Sequence, residues 1–151
     1  MAVYQIVEIG SEVLREKAKK VKEITPNIVK LLDNMFDTLY AANGAGLAAP
    51  QIGVSKRVVV IDVGDGPVEL INPVIVEKEG EADESEGCLS IPGVTGRVVR
   101  AAKVKVQGLN RKGELQEIET EGLLARACQH EIDHLEGILF VDKAYKTYRS
   151  R

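Results

Sequence analysis

The sequence has no long apolar run, no excess of basic residues and no set of several cysteine pairs. No apolar run approaches the roughly 20 residues needed to span a lipid bilayer, so we expect no membrane contact. The N-terminus has no basic segment followed by an apolar one, which argues against a signal peptide and predicts a cytoplasmic protein. The net charge of -3 gives no support for binding to DNA or other nucleic acid. The two cysteines, Cys88 and Cys128, should be thiols in a reducing cytoplasm.

The composition is that of an ordinary globular domain. Hydrophobic residues make up 44% of the chain and charged residues 28%. A length of 151 residues is sufficient to bury one hydrophobic core, and the sequence has no repeat, linker or low-complexity segment. We therefore predict a single domain over residues 1–151.

The predicted elements are helices, then strands, then a helix. A short helix is expected over residues 12–19, and Thr25 before Pro26 marks the start of a longer helix with an apolar stripe. Residues 122–135 have the period of another helix, which Gly137 ends. Strands are predicted between these helices over residues 57–63, 68–71, 74–76, 98–106 and 115–118, with a hairpin turn at 110–113. This order predicts an α+β fold in which mainly antiparallel sheets pack around a C-terminal helix, with helices at the N-terminus.

The predicted C-terminal helix carries the sequence His130-Glu131-Ile132-Asp133-His134, which includes both histidines of the chain. Residues four apart lie on one face of a helix, so both imidazoles can reach one metal ion. Glu131 lies about 100° round the helix from His130 and can reach a water on that ion without being a ligand. A chance surface sequence is the alternative, but this pattern has a mechanism behind it, and we interpret the helix as a metal-binding helix.

A third protein ligand should come from another segment, because catalytic sites of this kind usually use three and keep one position for water. Cys128 is close in sequence, but it lies about 200° round the helix from His130 and should be a buried thiol. Cys88 follows a glycine, which lets the backbone approach an ion closely. Taken alone, Cys88 suits a core position equally well. The missing ligand favours a role for Cys88 in the metal site.

Residues 44–51, after the long helix, are rich in glycine and alanine. An extended peptide could pair with their backbone as an added strand. Gln51 ends the segment with an amide that could donate a hydrogen bond to a developing oxyanion. Alone, such a segment is more typical of a plain connection, and it lacks the lysine and the spacing of a phosphate-binding loop.

Together these segments resemble the peptide deformylase family. The family pattern is Gly-x-Gly-Leu-Ala-Ala-x-Gln, then Glu-Gly-Cys-Leu-Ser, then Gln-His-Glu-x-Asp-His-Leu, and the resemblance covers most of the chain. Every fixed position is matched in order, by Gly44, Gly46, Leu47, Ala48, Ala49 and Gln51, by Glu86, Gly87, Cys88, Leu89 and Ser90, and by Gln129, His130, Glu131, Asp133, His134 and Leu135. The start departs from the pattern, because Gly10-Ser11-Glu12 stands where many members have a Pro-Asp pair. The tail after Phe140 is short, so no long terminal helix is expected.

The resemblance implies a hydrolase that removes the N-formyl group from the N-terminal formyl-methionine of newly made polypeptides and releases formate. It implies that Cys88, His130 and His134 hold one divalent metal ion. Fe²⁺ is the expected metal, and Zn²⁺ or Ni²⁺ can occupy such a site in a purified sample.

Roles for the surrounding residues also come from the resemblance. Glu131 would be the general base, and the Gln51 amide and the backbone N–H of Leu89 would stabilise the oxyanion. The peptide backbone would bond along Ala45, Gly46 and Gly87. The methionine side chain would lie in a pocket formed by Gly44, Ala45, Glu86, Leu123 and Ala127. For the last two, ordinary helix packing is a nearly equal alternative.

Two other classes of function stay open at this point. A zinc peptidase that cleaves internal peptide bonds also uses His-Glu-x-x-His, although Cys88 and the Gln51 segment argue against it. A structural metal site in a binding module would be closed by four protein ligands, and Cys128 is the obvious fourth but has the wrong helical position. The basic tail could contact ribosomal RNA, although a solvated end is the favoured interpretation of Lys143, Lys146, Arg149 and Arg151.

Overall fold

Helix, strands and helix follow one another along the chain as predicted. The computed structural model describes residues 2–150. Its helices are α1 (Pro26–Ala41), α2 (Gly122–Leu135) and the single turn α3 (Phe140–Lys143), with 3-10 turns at Glu12–Arg15 and Ala49–Ile52. Its strands are β1 (Gly46–Ala48), β2 (Val58–Ile61), β3 (Val68–Glu79), β4 (Ala82–Cys88), β5 (Ile91–Arg100), β6 (Lys103–Leu109), β7 (Leu115–Glu121) and β8 (Lys146–Arg149).

The strands form two sheets, and all their pairings are antiparallel. One sheet has five strands in the order β1-β2-β3-β6-β7, and the other has three in the order β4-β5-β8. The predicted α+β fold with antiparallel sheets around the C-terminal helix is confirmed.

Strand β2 is buried on both faces, because α1 covers one side of the larger sheet and α2 covers the other. Side chains alternate along a strand, so Val58 and Val60 join the core beneath α1, whereas Val59 and Ile61 join the core beneath α2. Full burial of each such side chain stabilises the fold by about 1.5–3 kcal/mol relative to exposure. The larger sheet is thus a fixed platform for α2.

The predicted strand over residues 98–106 is wrong. Strand β5 ends at Arg100 and β6 begins at Lys103, and the two strands lie in different sheets. Between them the backbone of Ala101 bonds to the side chain of Gln129 on α2, with its N–H donating at 3.0 Å and its carbonyl accepting at 2.9 Å. A contact from a distant helix therefore divides what looks like one β-branched run.

Residues 68–71 and 74–76 lie in a single strand, β3, rather than in two. Pro73 has no N–H to donate, and the register with β6 shifts next to it. Asn72 has a φ of 53°, and its side chain pairs with the backbone N–H and carbonyl of Val21, both at 2.8 Å. The proline distorts the strand without ending it.

Residues 12–19 form one 3-10 turn, Glu12–Arg15, instead of the predicted helix. The chain then runs extended, because Ala18 donates its N–H to the carbonyl of Leu135 at 2.8 Å and Lys19 forms a parallel bridge with Lys56. Tertiary hydrogen bonds replace the helical ones here.

The C-terminal segment of the described chain has no long helix, as expected. After the single turn α3, strand β8 pairs with β5, and all four of its residues are exposed to solvent. Arg151, one of the basic tail residues, lies outside the described residues. Within residues 2–150, no helix combines the length and the apolar character that a membrane span requires.

Candidate metal centre

Helix α2 places the two imidazoles one turn apart near its C-terminal end. The ring centroids of His130 and His134 are 5.0 Å apart, and both side chains are buried. Cys128 lies in the apolar core beneath the same helix, as predicted. Burial, with the nearby charge of Glu131, raises the pKa of the Cys128 thiol to about 12. Cys128 is therefore a core residue and does not join the two imidazoles.

Strand β4 brings Cys88 to the two imidazoles. Its Sγ is 3.4 Å from Nε2 of His134, and the donor atoms of Cys88, His130 and His134 all lie within 4.8 Å of one another. Two donors on one ion at bond lengths of about 2.0–2.3 Å have a separation of this order. The pairing of β4 with β5 is irregular after Gly87, and such irregularities redirect a side chain. One sulfur and two imidazole nitrogens suit a divalent transition metal.

The electrostatic environment of the two imidazoles also favours the binding of a cation. Burial, aided by the charge of His130, lowers the pKa of His134 to about 3, so its ring is neutral, which is the form that ligates metals. Burial opposes a charge on His130 as well, but negative groups outweigh that effect and raise its pKa to about 10; these groups are Glu131, Cys88 and Glu86. A pocket that favours a positive imidazole also favours a metal cation.

Glu131 lies beside the cluster formed by Cys88, His130 and His134 without being part of it. Its Oε2 is 3.9 Å from Nε2 of His130, and its Oε1 has no hydrogen-bond partner among residues 2–150. Burial raises the pKa of this carboxyl to about 7, against the opposing charges of His130 and Arg100. A buried carboxyl with one free oxygen and a pKa near neutrality can accept a proton from water and later return it.

Gln51 directs its amide N–H groups toward the cluster. Its Nε2 lies 3.5 Å from Sγ of Cys88 and 3.2 Å from Oγ of Ser90, while its Oε1 accepts the N–H of Ala48 at 2.9 Å. The side chain is almost completely buried. Leu89 follows Cys88 in the two-residue turn between β4 and β5. Both predicted oxyanion donors are thus neighbours of the thiol.

A buried ionic network behind His130 was not predicted from the sequence. Glu86 on β4 accepts the Nδ1–H of His130 at 2.9 Å. It also accepts Nε and Nη2 of Arg100 at 2.5 and 2.9 Å, and Nη1 of Arg126. Burial acts against ionisation of Glu86, but the bonds from His130 and Arg100 outweigh it and lower the pKa of this carboxyl to about 2. The ionised carboxylate fixes the tautomer and the orientation of the imidazole.

The two arginines form further hydrogen bonds. Arg100 donates Nη1 to Oδ2 of Asp133 at 2.8 Å. Arg126 donates Nη2 to the carbonyl of Ala82 at 2.7 Å and Nη1 to that of Val98 at 3.0 Å. The sequence gives little sign of this network, since arginine is normally exposed. The spacing of Arg126, one helical turn before His130, is the one available signal.

The cluster opens into a cavity of about 420 Å³ between β1 and the β4–β5 hairpin. Strand β1 is an outer strand of its sheet, so one of its edges has no neighbouring strand in the part of the chain that the structure describes. Leu123 is exposed at 60%, whereas Ala127 is buried beside it on α2. All the predicted substrate-binding residues line this cavity, namely Gly44, Ala45, Gly46, Glu86, Gly87, Leu123 and Ala127.

An antiparallel α+β fold that holds one thiol and two imidazoles beside a buried carboxyl defines a metal-dependent hydrolase. The family model described as polypeptide deformylase matches residues 3–150. The chain therefore belongs to the peptide deformylase family, as the three sequence motifs predicted.

Individual relatives agree with this assignment over nearly the whole chain. The peptide deformylase of Desulfitobacterium hafniense is 80% identical over 149 residues, which cover 99% of each chain. That of Carboxydothermus hydrogenoformans is 69% identical over 144 residues, or 95% of each chain. The crystal structure of peptide deformylase from Thermotoga maritima superposes with a TM-score of 0.94 at 43% identity and covers 97% of this chain and 100% of that one. The chain is thus an enzyme of this hydrolase family, and the alternatives of an internal peptidase and a structural metal module have no support.

Proposed function

We propose that Cys88, His130 and His134 hold one divalent metal ion, with which this peptide deformylase removes the N-formyl group from the formyl-methionine of newly made polypeptides. The convergence of their three donor atoms within 4.8 Å supports this ligand set most directly. When bound, the ion supplies Lewis acidity and lowers the pKa of a coordinated water. Fe²⁺ is the metal we propose for the cell, and Zn²⁺ and Ni²⁺ suit the same donors.

Glu131 is the proposed general base. Its free Oε1 takes the proton of the attacking water and later delivers it to the leaving amine, so that formate and a free N-terminal methionine result. Its side chain is 5% exposed, which keeps bulk water from competing for that proton. The unpartnered oxygen is the observation that supports this role.

Two donors are proposed for the oxyanion that forms on the formyl group. The amide of Gln51 lies 3.5 Å from Sγ of Cys88, and the backbone N–H of Leu89 belongs to the residue next to that sulfur. Each donor of this type contributes roughly 3 kcal/mol to the stability of a transition state.

The substrate peptide is proposed to lie along the free edge of β1, with backbone hydrogen bonds to Ala45, Gly46 and Gly87. The methionine side chain then enters the pocket formed by Gly44, Ala45, Glu86, Leu123 and Ala127. The carboxylate of Glu86 is already bonded to His130 and two arginines, so its hydrocarbon stem is the part available to the methionine.

Replacing Glu131 by alanine tests the reaction separately from the metal. Formate release from a formyl-methionyl peptide should fall by roughly 10²- to 10⁴-fold, because a general base contributes about that factor. Metal content after anaerobic purification should stay stoichiometric, because no ligand is removed. Wild-type turnover in this variant would refute the assignment of the base. Hydrolysis of an unformylated peptide by the wild-type protein at a comparable rate would refute the substrate.

The enzyme is proposed to act in the cytoplasm on chains that emerge from the ribosome. Lys143 pairs with Asp133 at 3.0 Å. Lys146 and Arg149 are exposed on β8 and form no ion pair within residues 2–150, although Nζ of Lys146 lies 5.3 Å from the ring centroid of Tyr148. Reversing both charges in Lys146→Glu/Arg149→Glu should lower co-sedimentation with ribosomes at low salt. Equal co-sedimentation of the double variant and the wild type would refute the contact.

A further inference from the structure

We infer that Arg126 is a positioning residue that fixes the imidazole of His130 toward the metal. The inference rests on the proposed function, because it assumes that His130 is a ligand. It concerns a residue that none of the three sequence motifs includes. It assigns a function to the buried ionic network around Glu86, namely to orient the imidazole of His130.

Arg126 and His130 hold the two oxygens of one carboxylate. Oε1 of Glu86 accepts the Nδ1–H of His130 at 2.9 Å, and Oε2 accepts Nη1 of Arg126. Both donors lie on the same face of α2, one turn apart, while the carboxylate comes from β4. Their side chains are at most 10% exposed, so water offers little replacement for these bonds.

Arg126 differs from Arg100 in what holds it. Arg100 binds both oxygens of Glu86 and donates Nη1 to the side chain of Asp133 on α2 at 2.8 Å, so its outer anchor is a side chain of the helix. Arg126 is also bound to the backbone carbonyls of Ala82 on β4 and Val98 on β5, at 2.7 and 3.0 Å. It therefore fixes the carboxylate relative to the backbone of the smaller sheet.

This arrangement predicts what the loss of Arg126 would do. Glu86 would remain paired with Arg100, so no buried charge is left alone and the fold should persist. The Glu86–Arg100 pair would then be held only through the side chain of Asp133, without a bond to the backbone of the smaller sheet, so the partner of the His130 ring would be less firmly fixed. Loss of the direct outer partner of a ligating histidine typically weakens metal binding by 10- to 100-fold, and because Arg126 acts through Glu86 we expect the lower end of that range, roughly tenfold.

Arg126→Met is the test, because methionine keeps an unbranched stem of similar length without the donors. Arg57→Met is the matched control, since Arg57 holds the other end of the same helix through the carbonyl of Leu135 at 3.4 Å and through Glu136 at 2.5 Å. The zinc dissociation constant of each apo-protein is measured by chelator competition, together with kcat and KM on a formyl-methionyl peptide and a thermal melt.

The expected result is about tenfold weaker zinc binding and a lower kcat in Arg126→Met. Arg126 also lines the cavity, so a change in KM does not count for or against the inference, and zinc affinity decides. Arg57→Met should bind zinc as the wild type does, even if its melting temperature falls. Wild-type zinc affinity in Arg126→Met would overturn the inference. An equal loss of affinity in Arg57→Met would also overturn it, because the effect would then belong to helix anchoring in general.

If Arg126→Met does not fold, Arg126→Lys is the variant that tests the inference. Lysine can reach Glu86 but cannot also bind both carbonyls, so zinc affinity should fall by a smaller factor, about threefold. Unchanged affinity would then refute the positioning role. Failure of the proposed function gives a different result, in which Cys88→Ser and His134→Ala bind zinc as tightly as the wild type.

Discussion

Replacing Gly46 by alanine should disable the enzyme without removing its metal. An ideal Cβ at this position would lie 2.6 Å from Oε2, 2.8 Å from Cγ and 3.0 Å from Cδ of Glu131. Gly46 does not have a positive φ, so alanine brings no backbone strain, and the effect must act through the neighbouring side chain. Glu131 is only 4% exposed, and the space beside it is the cavity that it lines. The methyl group therefore displaces either the carboxylate or strand β1.

The size of the effect follows from these two responses. Displacing a general base removes about 10²- to 10⁴-fold of rate, which is roughly 3–5 kcal/mol of activation free energy. Accommodating one extra methyl group in a packed site costs about 1–3 kcal/mol of folding stability. We expect kcat of Gly46→Ala to fall at least 100-fold, with a lower melting temperature and a full complement of metal.

Gly108→Ala is the control for crowding alone. Gly108 is in β6 of the same sheet, outside the cavity, and its added Cβ would lie 3.0 Å from Cδ2 of Leu70. This variant should also melt at a lower temperature, but its kcat should stay close to the wild-type value. Turnover and metal content are measured on a formyl-methionyl peptide for both variants. A wild-type kcat in Gly46→Ala, or an equal loss in Gly108→Ala, would refute the steric argument.

Three further predictions concern the thiols and the chain end. Cys88→Ser should bind metal more weakly or change its metal preference; stoichiometric iron with full activity would exclude Cys88 from the site. Iodoacetamide should modify Cys88 in the metal-free protein and leave the fully buried Cys128 intact, and mass spectrometry of the digest decides. Asp142→Ala should lower the free energy of unfolding by about 0.5–1 kcal/mol at pH 7, since Asp142 is partly exposed. A hydrogen bond from Arg15, with a smaller effect from the N–H of Leu139, lowers the pKa of Asp142 from its usual 3.8. The difference between variant and wild type should therefore be complete above that pH and vanish as the pH falls through the lowered pKa, as denaturant unfolding at several pH values can measure.

The ligand helix could be predicted from the sequence because its geometry is local. Residues four apart on a helix share a face whatever the tertiary structure, so His130 and His134 had to be neighbours once residues 122–135 formed a helix. The same helical spacing correctly predicted that Cys128 faces the core. Cys88 was different, because its place depends on how β4 meets α2, and its role was inferred from the missing third ligand and from the family resemblance.

The errors arise where distant residues decide the local structure. Nothing within residues 98–106 marks a break, and the strand divides because Gln129 binds the backbone of Ala101. Arg126 lies four residues before His130 and so on the same face of α2. The sequence does not distinguish a buried arginine at this position from one exposed to solvent. Its burial follows from the carbonyls of Ala82 and Val98, which only the folded hairpin presents.

The site depends on how the two sheets dock on α2. The larger sheet supplies Gly46, which leaves room for Glu131, and the smaller sheet supplies Cys88 and the carboxylate that orients His130. A shift of a few tenths of an ångström between the sheets would leave the apolar cores nearly unchanged, because each core is built mainly within one sheet and its helix. The same shift would change the distance from Sγ of Cys88 to Nε2 of His134, and metal bonds tolerate little change in length. Variants that loosen the contact between the smaller sheet and α2, Arg126→Met above all, should therefore weaken metal binding before they lower the stability of the fold.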